Sequence, residues 1–101
     1  MLALMDVRFL TPAVKELDEA FVYYQSIVDG LGYEFVSEVE HSITRIKHFP
    51  TAYPLIGSQS RRCLIHRFPY GLIYQERNEE ILIIAISNLH RKPKYWVSRE
   101  L

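Results

Sequence analysis

Arg61, Arg62, His66, Arg67, His90, Arg91, Lys92 and Lys94 all fall after residue 60, interleaved with Tyr70, Tyr74, Tyr95 and Trp96. Cations, imidazoles and phenols in one stretch are the groups that phosphodiester cleavage requires. A base must activate a 2′-hydroxyl, cations must hold the pentavalent phosphate, and an acid must protonate the leaving oxygen. His90 and Tyr95 have the proton chemistry, and Arg62 and Arg67 have the charge. The same residue types on alternating strand positions also suit an ordinary solvated face. Tyr70 and Tyr74 read better as sheet-packing aromatics than as base-stacking platforms. The signal is densest in the tail His90-Arg91-Lys92-Pro93-Lys94-Tyr95-Trp96. There Trp96 beside cations can anchor a protein interface or stack on a base; alternatively Tyr95 and Trp96 pin the C-terminus onto the core. Arg61, Arg91, Lys92, Lys94 and Trp96 are therefore candidates for binding a target or partner.

Other chemistries lack their groups. The histidines stand at 41, 48, 66 and 90, and no Cys–His pair has ligand spacing, so neither a metal site nor a cofactor is expected. Gly30, Gly32, Gly57 and Gly71 make no phosphate-cradling loop. No serine sits in a nucleophile elbow, and Glu34, Glu38 and Glu40 read as a solvated helix face. Cys63, the single cysteine, lies in an apolar stretch and reads as a buried structural thiol rather than a nucleophile, which would need a base and exposure.

These residues need a frame, and the rest of the chain supplies one. A length of 101 residues with 49% apolar and 24% charged residues predicts one ordered domain, 1–101. The formal net charge is zero, but residues 1–60 hold four Lys and Arg against eight Asp and Glu, and residues 61–101 hold eight against four. The basic half suits an acidic partner or nucleic acid. No apolar run approaches the roughly 18 residues of a membrane span, and Met1–Asp6 lacks the basic, apolar pattern of a signal peptide, so a cytoplasmic protein with no membrane partner is expected.

Period-two alternation over residues 3–10 predicts a strand. Thr11 then Pro12 reads as a capping hydroxyl followed by proline at the first helical position. Ala13, Leu17, Ala20, Tyr24 and Ile27, widened by Val14, Phe21 and Val28, make one helix face, with Lys15, Asp18, Glu19 and Gln25 opposite, until Asp29-Gly30 ends the helix. A second helix runs from Leu31 or Gly32 to His48 on Phe35, Val39, Ile43 and Ile46, and stops at Phe49-Pro50. With almost no loop between them, the two should pack as an antiparallel hairpin. Residues 50–60 read as an irregular, Pro- and Ser-rich connection. Arg62–Phe68, Tyr70–Glu76 and Ile81–Asn88 read as strands, the last a central one because it is almost continuously apolar. The order β-α-α-β-β-β predicts an α+β domain, a small mostly antiparallel sheet with the helical hairpin on one face.

In this order and spacing, several short segments resemble the ParE branch of the ParE/RelE superfamily, toxins of type II toxin–antitoxin systems that include plasmid stabilisation proteins. They are Thr11-Pro12-Ala13 leading to Tyr23-Tyr24, Gly30-Leu31-Gly32 with Phe35 and Val36–Glu40, Ile46–Pro50 with Tyr53-Pro54, Arg61-Arg62, Arg67–Tyr70 with Ile73-Tyr74, and His90–Trp96. The resemblance implies a cognate antitoxin protein that neutralises the chain, as part of a hetero-oligomer or a homodimer. ParE-like members act on DNA gyrase without cutting RNA; RelE-like members are endoribonucleases that cut mRNA in the ribosome with basic sheet residues and a late Tyr or His. Arg62 and Arg67 match the basic positions loosely, and His90 or Tyr95 could stand at the late one. Residues 50–59 hold no Lys or Arg and the whole chain is neutral, whereas ribosome binding favours basic proteins. The expectation is a non-enzymatic toxin, with a ribonuclease and an inactive antitoxin-binding scaffold as alternatives.

Overall fold

The computed structural model describes residues 5–101. Strand β1 (Asp6–Phe9) leads into helices α1 (Thr11–Ile27) and α2 (Leu31–His48), followed by strands β2 (Leu55–Ile56), β3 (Ser60–Leu64), β4 (Tyr70–Arg77) and β5 (Glu80–Asn88), and a short 3-10 turn at Val97–Arg99. The sheet order is β1-β5-β4-β3-β2. β1 runs parallel to β5, and the other pairs are antiparallel. The expected α+β order therefore holds, with one strand added: β2 lies inside the stretch expected to be irregular, and two residues are too short for periodicity to reveal. Residues 3 and 4 of the expected first strand lie outside the described residues. The second expected strand, Arg62–Phe68, is found at Ser60–Leu64 instead, because the chain turns at Ile65–Phe68 to reach β4, with the Ile65 N–H donating to Tyr70 O at 2.9 Å.

Both expected helix signals near the hairpin are corrected. The residue flanking α1 is Leu10, with no side-chain cap, and Thr11 is already helical. Gly30, at φ +92°, does not close α1; Val28 does, in extended conformation, and Gly30 opens α2. The turn is closed by Gln25, whose Oε1 accepts from the N–H groups of Gly30 and Gly32 at 3.1 and 3.0 Å. Gly32 is needed for a different reason: a Cβ there would sit 2.7 Å from Phe21 O, so its absence lets the helices touch.

The helical hairpin covers one sheet face. Tyr24, Phe35, Phe68 and Tyr70 form an aromatic cluster with ring centroids 4.8 to 6.1 Å apart, joined by Ile46, Leu72, Ile81 and Ile83. Each such side chain contributes roughly 1.5–3 kcal/mol by leaving water. The opposite face is also closed, by the C-terminal tail. Ile73, Ile84, Ala85 and Trp96 pack together there. A bulge makes this second core possible. Ile73 pairs with Ala85 and Tyr74 with Ile83, so Ile84 is an extra residue on β5. Ile84 and Ala85 both join the tail-side cluster, while Ile83 and Ile86 join the helix-side one. That is why the run 81–86 is apolar without alternation.

Candidate functional site: a basic groove beneath the C-terminal tail

Arg62 and Ile73 pair across β3 and β4, and Ile73 belongs to the tail-side cluster. Arg62 lies flat because Gly71 has no side chain: a Cβ there would meet Arg62 Cδ at 2.9 Å. Beyond β5, the Asn88 side chain accepts the His90 N–H at 2.8 Å, and Asn88 O accepts the Arg91 N–H at 3.1 Å. This turn brings the tail back over the sheet, and Lys94 at φ +58° bends it again. Between tail and sheet lies a groove of about 150 Å³, with Ile56, Ile73 and Trp96 along its apolar side and Arg62, Arg91, Lys92 and Lys94 bordering it. No carboxylate lines it. Among the described residues Arg62, Lys92 and Lys94 form no salt bridge. An anion entering here meets uncompensated positive charge beside apolar surface.

One residue fastens the tail. Glu16 on α1, with its side chain 11% exposed, accepts from Arg99 Nη1 and Nη2 at 2.8 and 3.2 Å, from Tyr95 OH at 2.5 Å, and from the Ile86 N–H at 3.1 Å. Arg91 reaches it at 3.5 Å and stacks 3.8 Å above the Tyr95 ring. Charge-assisted, forked contacts of this kind are the strong ones. They raise the Arg99 pKa further. Burial first, then the hydrogen bond to Glu16, pushes the Tyr95 phenol up to about 12. A second fastening lies at the end of the chain, where Gln75 donates to Ser60 Oγ at 3.3 Å and Ser60 donates to the Glu100 carboxylate.

The residues singled out from the sequence are thus divided. Arg62, Arg91, Lys92 and Lys94 converge on the groove, and His90 stands exposed in the turn beside it. Trp96 is 1% exposed, so its indole pins the tail and offers no free face. Tyr95 points at Glu16, and its ring is partly buried against the tail-side cluster. Arg67 sits in the β3–β4 turn at φ +73° and pairs with Glu34 on α2 at 3.0 Å. Arg61 lies on the helix side, donating to Tyr53 O at 2.7 Å. Tyr70 and Tyr74 are sheet-packing aromatics; Tyr74 donates to Pro50 O at 2.6 Å, and burial pushes it to about 12. Glu16 escaped the sequence reading, though it carried a signal: it stands between Ala13, Leu17 and Ala20, beside the inward stripe of α1.

These features define a class first: an α+β domain with a helical hairpin on one sheet face and a cation-bearing tail folded across the other. A solved chain of the chromosomal ParDE TA system from P. aeruginosa has the same fold, with a TM-score of 0.76 at 15% identity, covering 86% of this chain and 98% of that one. The sequence model of the family described as ParE toxin of type II toxin-antitoxin system, parDE, matches residues 7–93. The chain belongs to that family, the ParE toxins of type II toxin–antitoxin systems. No curated protein matches it in sequence. Among the described residues no helix is long and apolar enough to cross a membrane.

Proposed function

We propose that this protein is a growth-inhibiting cytoplasmic toxin, silenced by a cognate antitoxin protein, that acts by binding an essential target, with DNA gyrase the favoured one, rather than by cutting RNA. The observation that carries this reading is the separation of the groups that cleavage would need. Tyr95 is committed to Glu16 and holds its proton to about 12, and Arg67 is paired with Glu34. A general acid or base works best near the operating pH and within reach of the reacting atoms. What is left is a basic groove, Arg62, Arg91, Lys92 and Lys94, whose chemistry is binding.

The test is inducible expression in bacteria with and without the neighbouring antitoxin frame, reading growth, plasmid supercoiling and mRNA ends together. Antitoxin-reversible arrest with altered supercoiling and intact mRNA is expected, and Arg62→Glu with Lys94→Glu should relieve it. Arrest with new mRNA ends and unchanged supercoiling would overturn the reading. One observation favours that ribonuclease alternative: His90 stands unburied beside the groove. In that case His90→Ala would abolish cutting while leaving the fold intact. Antitoxin binding without toxicity would leave an inactive scaffold.

A further inference from the structure

Most arginines of the chain hold an oxygen acceptor. Arg61 donates to Tyr53 O at 2.7 Å, Arg67 donates to Glu34 at 3.0 Å, and Arg91 and Arg99 face Glu16. Arg62, Lys92 and Lys94 differ. Among the described residues none of them has a carboxylate within ion-pair distance, yet all three border the one groove beneath the tail. Like charges gathered without a counter-charge repel one another, and the fold does not let these spread. The stem of Arg62 is laid across β4, where a Cβ at Gly71 would meet its Cδ at 2.9 Å. Lys94 is held at φ +58°, a conformation unfavourable for any side chain with a Cβ. Strained backbone of this kind persists only where the surroundings enforce it, and it gathers at ligand sites.

Size and charge decide what fits. One water needs roughly 10–15 Å³ on the same measure, so a groove of about 150 Å³ admits on the order of ten non-hydrogen atoms. That is the size of a diphosphate. A terminal phosphate carries roughly −1.5 to −2 charges at neutral pH, and a diphosphate about one more, which matches Arg62, Lys92 and Lys94 and leaves Arg91 on Glu16. A nucleic-acid backbone offers its charge one phosphate at a time, and an acidic peptide one carboxylate per side chain; either would leave most of this charge unmatched. We infer that the groove is a binding site for a compact oligophosphate, the diphosphate group of a small molecule such as a nucleoside diphosphate. Arg62 supplies a planar fork for one phosphate, and Lys92 and Lys94 supply mobile point charges for the other. The apolar flank of Ile56 and Ile73 keeps water away from one side and strengthens the field. The ligand shares the groove assigned above to the target, but purified protein alone tests it, so its failure and that of the toxic reading are separate results.

The probes are inorganic pyrophosphate, inorganic phosphate, ADP, and a short DNA strand without terminal phosphates, each titrated into the full chain at about 0.15 M salt, where loose surface attraction is screened. Amide chemical shifts are followed. Pyrophosphate and ADP should shift Arg62, Lys92 and Lys94, and inorganic phosphate and the DNA strand should bind at least about tenfold more weakly. ADP binding more tightly than pyrophosphate would mean that the nucleoside adds contacts outside the groove; pyrophosphate binding as tightly or more so would mean that the diphosphate alone is read. Both results sustain the site. Arg62→Met keeps the apolar stem over Gly71, and Lys94→Asn suits the left-handed backbone; each should weaken pyrophosphate at least about fivefold, with dichroism unchanged. Lys15→Gln, an exposed substitution on α1, should leave the affinity within about twofold. Inorganic phosphate as tight as pyrophosphate, the DNA strand tighter than ADP, an equal loss in Lys15→Gln, shifts lying outside the groove, or no shift at millimolar pyrophosphate would each overturn the proposal.

Discussion

The two faces of the sheet are closed by opposite means. On the helix side, closure is spread over many interlocked side chains: four aromatic rings, the close helix contact at Gly32, and the aliphatic residues of β4 and β5. On the tail side it is concentrated in one indole and two carboxylates, Trp96, Glu16 and Glu100. A distributed core opens only when the whole domain opens, whereas a segment held at a few points can open by itself. The face that carries the free cations is thus the face that can be uncovered without unfolding. Trp96 is the single tryptophan, so its emission reports tail docking, and far-ultraviolet circular dichroism reports the helices.

The sharpest way to break this contrast is to damage each face and watch both signals. Phe35→Ala removes a fully buried ring and should cost about 3–5 kcal/mol. Urea unfolding followed by emission and by dichroism should then shift together. Glu16→Gln, on the other side, keeps the shape but removes the charge that Arg99 and Arg91 face. It should cost about 2 kcal/mol, and the Trp96 emission should move at lower urea than the dichroism. If the Glu16→Gln curves stay superimposed, the tail is no separate unit and the contrast fails.

Alkaline pH gives a weaker lever on each face. The phenols of Tyr95 and Tyr74 lie at about 12, above the ordinary 10.0. Their folded-state values are raised, so the stability they contribute is whole below about pH 10 and is lost as pH rises through about 12. Stability measured by urea should therefore fall across that interval. Tyr95→Phe should flatten the fall in the emission-detected transition, and Tyr74→Phe the fall in the dichroism-detected one. The reverse assignment would place the wrong tyrosine on the tail.

Legibility followed the same division. The helical hairpin and the three long strands were readable because periodic burial writes itself into sequence: Phe35, Val39 and Ile46 recur at helical spacing and are buried. The tail side was not, since its order depends on contacts between residues about 70 to 83 positions apart, such as Glu16 with Ile86 and Arg99. No local pattern encodes such pairs. The basic groove was half-readable. Arg91, Lys92 and Lys94 are adjacent in sequence, but Arg62 joins them only because Gly71 lets it lie across β4, and Arg67 leaves the set because its turn points it at Glu34.

The smallest expected effect concerns a segment common to both faces. Arg77 pairs with Glu80, so β4 and β5 are joined by two residues, Asn78 and Glu79, at φ +50° and +62°. Two-residue hairpin turns with both φ values positive favour Asn-Gly. Asn tolerates the left-handed region, but Glu carries its full steric penalty there. Glu79→Gly should relieve that penalty, partly offset by the greater freedom of glycine in the unfolded chain, for a net gain of roughly 0.5–1 kcal/mol. Because β4 and β5 supply residues to both clusters, the emission and dichroism midpoints should rise by the same amount. A rise in only one of them would mean that the hairpin serves a single face, and that the tail-side core stands on something other than the bulge at Ile84.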